Sequence, residues 1–233
     1  MALQNVHLME EMNQRLQEIN YLLEFSRQLG ALDPLSILRS LVESALKAIP
    51  HAGAGMAALW QAGEQRLIPN VAIGYGNNDK ILQIKFQAGQ SLPGMAYAKG
   101  EAMCVGEVNF AQDYNLPPEY LLLYRDATGG RLPISSLVMP IRTGDNTYGV
   151  LVLDNFREVA IFTNDDQNIA TSLTRQTALT LERTELYQAA EQRAGQLQAL
   201  TTVAGAITSS LHTDEVISLL LSQAETIIPF DTG

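Results

Sequence analysis

The residues able to do chemistry are few and scattered. Three histidines, His7, His51 and His212, and one cysteine, Cys104, are the first candidates for acid–base, nucleophilic or metal chemistry. A nucleophile needs a base within hydrogen-bond reach. None of these histidines stands beside a serine or cysteine motif. They fall in a helical stretch, a helix–strand junction and a helix-start segment. The chain has no G-x-S-x-G elbow and no Walker-type loop. Gly89, Gly94 and Gly100 lack the spacing of a phosphate cradle and read as turn and cap glycines. Ser135-Ser136 lies in a strand-like run and reads as structural. The adjacent carboxylates Asp165-Asp166 read as helix-capping residues. A single cysteine excludes an internal disulfide framework and a Cys-based zinc site. No catalytic residue and no metal ligand is assigned.

A binding pattern is easier to find. The segment "DYNLPPEYLLLYRDATGGRLPI" carries Tyr114, Tyr120, Tyr124 and Arg125. Aromatic faces and one guanidinium suit the lid of a pocket for a planar or anionic ligand. Trp60 ends a strand-like run and could line the same cavity, with Ser136 on a neighbouring run. Equally, the tyrosines could simply pack the lid and Arg125 be solvated. The ligand itself is not named by these residues, and no cofactor is assigned.

The elements that would hold this segment follow from pattern. Apolar residues make up 46 % of the chain and charged ones 17 %, which suits a folded core rather than a disordered segment. The net charge of -10, with only four lysines, argues against nucleic acid as partner. No apolar run reaches the roughly 18 residues that a membrane span needs, and the N-terminus lacks the features of a signal peptide. A reducing, cytoplasmic setting fits the lone cysteine.

Met9, Met12, Leu16, Ile19 and Leu23 repeat at helical 3–4 spacing, which predicts a short coiled-coil seam over residues 1–32. Asp33-Pro34 starts a second helix, whose stripe from Leu35 to Ile49 ends at Pro50. Strands are expected at Gly55 to Gln61, Leu67 to Ile73, Ile81 to Phe86 and Met103 to Val108. A short helix over Leu92 to Lys99 should stop at Gly100. Ala111 to Leu132 reads as irregular, with a possible helix over Glu119 to Tyr124. Leu137 to Ile141 and Tyr148 to Leu153 flank Thr143-Gly144-Asp145-Asn146 and predict a hairpin. Cys104 should be a small buried residue of its strand. A long helix should begin after Thr163-Asn164-Asp165-Asp166 and run on through Leu186, Ala190, Arg193, Leu197, Leu200 and Ala204. "ILRSLVESALKAIP" at residues 37–50 parallels "VISLLLSQAETIIP" at residues 216–229. That repeat suggests the start of a second, truncated domain over 211–233. The domain core is then 33–165, with 166–210 as a linker helix.

Three stretches resemble a GAF domain, in that family's order. They are "FQAGQSLPGMAYAKGEAMCVGEV", the hairpin "SSLVMPIRTGDNTYGVLVLDN", and "IFTNDDQNIATSLTRQTALTLERTELY". The resemblance implies an α+β, profilin-like fold, a twisted antiparallel sheet flanked by helices, with long N- and C-terminal signalling helices. It implies a small-ligand pocket on one sheet face and dimerisation through the terminal helices. It implies a regulatory module rather than an enzyme, in a bacterial histidine kinase or cyclic-di-GMP enzyme. The family's free methionine sulfoxide reductases use several cysteines, and this chain has one. Its bilin-binding members attach the chromophore to a cysteine in the segment before the hairpin, where this chain has none. Its cyclic-nucleotide binders often carry Asn-Lys, whereas Asn155 is followed here by Phe156. A cyclic nucleotide remains the lesser alternative, and a ligand-free dimerisation module the main one.

Overall fold

The computed structural model describes residues 33–227. The N-terminal seam from Met9 to Leu23, His7 and Pro229 lie outside the described residues. The chain divides into two units, with the break after Thr184.

The first unit opens with helix α1, Pro34–Ala48. Asp33 caps it, its carboxylate accepting from the Ser36 amide at 3.0 Å and the Leu35 amide at 3.4 Å. Pro34 occupies the first turn, where a missing N–H costs nothing. Ile37, Leu38, Leu41, Val42 and Ala45 form the buried stripe. Strands β1, Ala54–Gln61, and β2, Arg66–Ile73, then form the first hairpin. A single helical turn α2, Asn78–Ile81, precedes a two-residue strand β3, Phe86–Gln87. Helix α3, Leu92–Lys99, ends at Gly100, which takes the left-handed conformation at φ 64°. Strand β4 is Met103–Val105. Helices α4, Phe110–Asp113, and α5, Pro118–Thr128, lead to the long hairpin of β5, Ser135–Thr143, and β6, Asn146–Asn155. Helix α6 then runs over Asn164–Ile227, across the break between the units.

The six strands make one sheet in the order β3-β2-β1-β6-β5-β4. Every pairing is antiparallel. Strand side chains alternate between faces, so one hairpin feeds two cores. Leu137, Met139, Ile141, Leu151 and Leu153 join α1 and the first part of α6 on one face. Val138, Val150 and Val152 join the short helices and loops on the other. The hairpin is thus an inner wall with two buried sides, as the resemblance implies.

Several expectations give way. Of residues 81–86 only Phe86 is in a strand: Asn77 caps a helical turn by accepting from the Lys80 amide. Ile81 and Ile84 are both buried there at a spacing of three, which suits a turn of helix better than an alternating strand. The 111–132 segment is mostly helical: Asn109 caps the first helix, and the second starts at Pro118 and ends at Gly129. Strand β4 is shorter than Met103 to Val108, and Cys104 is exposed rather than buried. The sheet order makes β4 an edge strand. His212 lies inside α6 rather than at a helix start, and the helix continues without a break through residues 210 and 211. Thr163 does cap α6: its hydroxyl accepts from the Asp166 amide at 3.2 Å, while Asp166 accepts from the Thr163 amide at 2.8 Å. Among the described residues, no helix is long and apolar enough to cross a membrane.

Gly149 lets β1 and β6 approach. A Cβ there would stand 2.0 Å from the Ala58 carbonyl oxygen, whereas one on Gly63 would meet nothing within 4 Å. Gly149→Ala is therefore expected to cost about 2 kcal/mol or more, and Gly63→Ala less than about 0.5 kcal/mol. Urea unfolding midpoints of the two variants check this difference.

Candidate ligand-binding site

Asp154 is the last inward-facing residue on the lid side of β6, in step with Val150 and Val152. Only 1 % of it is exposed. Its cross-strand partner on β5 is Ser136. The Ser136 hydroxyl donates to Asp154 Oδ1 at 2.6 Å.

Three tyrosines from three separate segments close over that carboxylate. Tyr75 follows β2 between two glycines with positive φ, Gly74 at 89° and Gly76 at 93°. A Cβ on Gly74 would lie 2.6 Å from the Gly53 carbonyl oxygen. Glycine therefore permits the sharp turn that sends Tyr75 inward. The Tyr75 hydroxyl donates to Asp154 Oδ2 at 2.8 Å. Tyr114 ends α4, which Asn109 caps through the Gln112 amide. Its hydroxyl donates to Oδ1 at 2.8 Å. Tyr124 lies on the buried face of α5, one turn before the Thr128-Gly129 terminus, and donates to Oδ2 at 3.2 Å.

The rings form a continuous aromatic cluster. Phe110 stacks on Tyr114 with centroids 4.6 Å apart and tilts against Tyr124 at 4.7 Å. Tyr75 meets Tyr124 and Phe156 edge-on at 6.1 Å and 6.2 Å. Burial pushes the Asp154 carboxyl above its ordinary value, and the four hydroxyls partly pull it back. Burial, and then the Asp154 charge, push the three tyrosine hydroxyls well up, so they stay protonated donors.

The structure brings together three of the six residues singled out in the sequence: Tyr114, Tyr124 and Ser136. Trp60 and Tyr120 are half-buried against the same core. Trp60 stacks on Tyr97 at 4.7 Å. Arg125 is exposed on α5. Asp154 and Tyr75 were not among those six. A signal for Asp154 existed: a carboxylate in register with the inward-facing valines of an apolar strand. A cavity of about 460 Å³ lies on the other side of the sheet, near the C-terminal end of β5. Gly100, Met139, Arg142, Thr174 and Arg175 help to line it.

The model of the GAF domain matches residues 33–181, which spans every element around Asp154. The chain belongs to the GAF family. Solved GAF domains share its fold. One comes from the phosphoenolpyruvate-protein phosphotransferase of Coxiella burnetii, at 17 % identity and TM-score 0.62, covering 75 % of this chain and 98 % of that one. Its Acinetobacter counterpart aligns at 15 % identity and TM-score 0.61, covering 73 % and 95 %. The free methionine-R-sulfoxide reductase of Neisseria meningitidis, solved with its substrate, aligns at 17 % identity and TM-score 0.57, covering 73 % and 91 %. No curated protein matches the chain in sequence. The family role is regulatory or sensory in general, although the reductases show that some relatives are enzymes.

The hydrogen bonds to Asp154 are charge-assisted and buried. Tyr75→Phe and Tyr114→Phe are each expected to lower unfolding free energy by about 1.5–3 kcal/mol. Tyr120→Phe is expected to change it by less than about 0.5 kcal/mol. Chemical denaturation of the three variants tests the ranking.

The raised carboxyl of Asp154 also sets a pH dependence. The folded protein binds this proton more tightly than the unfolded chain does. The resulting stability is fully present below the ordinary aspartate value and is lost as pH rises through the raised folded value. Lowering pH from neutral toward the ordinary aspartate value should therefore raise wild-type stability relative to Asp154→Asn. Paired urea titrations along that range measure the slope, and an opposite slope would refute the assignment.

Proposed function

We propose that this GAF domain is a small-molecule-sensing module of a cytoplasmic bacterial signal-transduction protein. The parent we propose is a sensor histidine kinase of a two-component system or a cyclic-di-GMP enzyme. The observation that carries the reading is the convergence of three lid segments on one carboxylate of a central strand. A ligand that reaches Asp154 must displace the Tyr75 turn, α4 and α5 together. Its binding energy then acts on a lid with discrete arrangements, and differential affinity for them shifts the population. The proposed contacts are Ser136, Tyr114 and Tyr124 in the cluster, with Trp60 and Tyr120 beside it. Arg125 enters only as an exposed residue of the lid helix.

Output would pass along paired helices in a homodimer. Leu186, Leu197 and Leu200 are each about two-thirds exposed, and with Ala190, Arg193 and Ala204 they follow a 4-3-4-3-4 spacing. That spacing suits the seam of a two-stranded coiled coil. In this reading 33–165 is the sensor core, 166–210 the linker helix and 211–233 the start of a second GAF domain. The neighbouring reductase, bound to its substrate, is an example of a small molecule held by this fold.

A ligand-free dimerisation module is the second reading. It is favoured by one fact: no buried side-chain polar atom among the described residues lacks a partner. A cyclic nucleotide is the weaker ligand choice. Asn155, which the family motif would aim at it, accepts here from the Arg157 and Glu158 amides and donates to the His51 carbonyl.

A thermal-shift screen of nucleotides, amino acids and aromatic acids separates the two readings. A true ligand at a hundred times its dissociation constant should add about 2.7 kcal/mol of stability. A flat screen favours the dimerisation module. Leu197→Glu with Leu200→Glu should convert the dimer to monomer in light scattering, and an unchanged mass would remove the helical seam from the proposal.

A further inference from the structure

We infer that the ligand of this site is a cation, an ammonium group that takes over the Asp154 carboxylate. The inference rests on the sensing role proposed above and names its ligand class.

Among the described residues four donors reach Asp154, and all are neutral hydroxyls. They complete its hydrogen bonding but bring no countercharge. Buried carboxylates are ordinarily paired with a cation. The ion pairs Lys80–Asp126 and Lys85–Glu64 lie at the surface. The walls around the carboxylate are instead aromatic: Phe110, Tyr114, Tyr124, Tyr75 and Phe156. Ring faces attract cations, more strongly once water is excluded. The belt already holds one at its margin, where the Arg131 guanidinium stands over the Phe156 ring, 5.5 Å from its centroid.

An ammonium group carries three N–H donors and a full positive charge. It can replace the three tyrosine hydroxyls on Asp154 bond for bond. It also supplies the missing charge, and charge-assisted bonds are the stronger kind. Each displaced hydroxyl belongs to a different lid segment, so one small group releases all three. An anion at the same position would face a carboxylate across a low-dielectric core and be repelled. The hydroxyls thus act as placeholders that keep Asp154 hydrogen-bonded until an amine arrives.

Isothermal titration calorimetry on the full chain tests this. Phenethylammonium and putrescine serve as cationic probes, phenylacetate and cyclic GMP as anionic ones. Saturable binding of a cationic probe is expected, with loss of binding in Asp154→Asn. Tyr124→Phe removes the longest of the four bonds and leaves the carboxylate. It should tighten amine binding about fivefold, because a competing donor is gone. If Asp154→Asn does not fold by circular dichroism, the Tyr124→Phe titration decides. Binding of an anionic probe alone, amine binding that survives Asp154→Asn, or weaker binding in Tyr124→Phe would each overturn the cation assignment and leave the sensing role standing. Silence from all four probes also overturns it, while the broader thermal-shift screen judges the sensing role separately.

Discussion

A carboxylate buried in an apolar core must find donors or give up its charge. Asp154 finds four, and the lid side of the domain is arranged around that need. Ser136 comes from the adjacent strand. The tyrosines come from a turn, a one-turn helix and a three-turn helix that share little else. Each segment is short and could not hold its place by local propensity alone. Their hydroxyls, together with ring packing, tie them to the sheet. The lid is therefore held by a few strong directional bonds set within an apolar cluster. Such a closure can open without dissolving the core beneath it.

The sheet makes this possible by serving two faces at once. Leu151 and Leu153 on β6 belong to the helix-side core, with α1 and the first part of α6. Val150 and Val152 belong to the lid-side core, and Asp154 continues their row. The helix side is apolar at Leu151 and Leu153 and gives rigidity. The lid side is apolar except for one charged residue and its hydroxyl partners. Gly149 lets the backbones of β1 and β6 meet closely enough for both cores to stay dense. Rigidity on one face and a polar latch on the other suit a regulatory fold, where a small chemical event must move a defined segment and nothing else.

The second unit obeys a different logic. The exposed Leu186, Leu197 and Leu200 on α6 repeat at coiled-coil spacing. A helix with that seam gains stability when a partner covers it, since isolated helices are marginal in water. Within α6 the buried threonines of the first unit return their hydroxyls to the helix: Thr174 and Thr177 donate to the Ala170 and Leu173 carbonyls. They satisfy themselves locally and leave the apolar surface to do the packing.

The sequence by itself determined the fold class, the β5–β6 hairpin, the caps of α1, α3 and α6, and the family. These follow from period, turn chemistry and capping, all of which act within a few residues. It misjudged residues 81–85, where a short apolar run fits either element. It also left 111–132 as mostly loop, because the helices there are short and their caps lie close to prolines. Tyr114 and Tyr124 were legible as candidates because aromatic residues clustered in a lid segment, and Ser136 because it lay on a neighbouring strand-like run. Only the tertiary structure decided that they meet Asp154 and Tyr75, which are 79 residues apart in the chain. Residue type announces a donor or an acceptor. Which donor reaches which acceptor depends on strand order and register, and those are set by long-range pairing that no local pattern encodes.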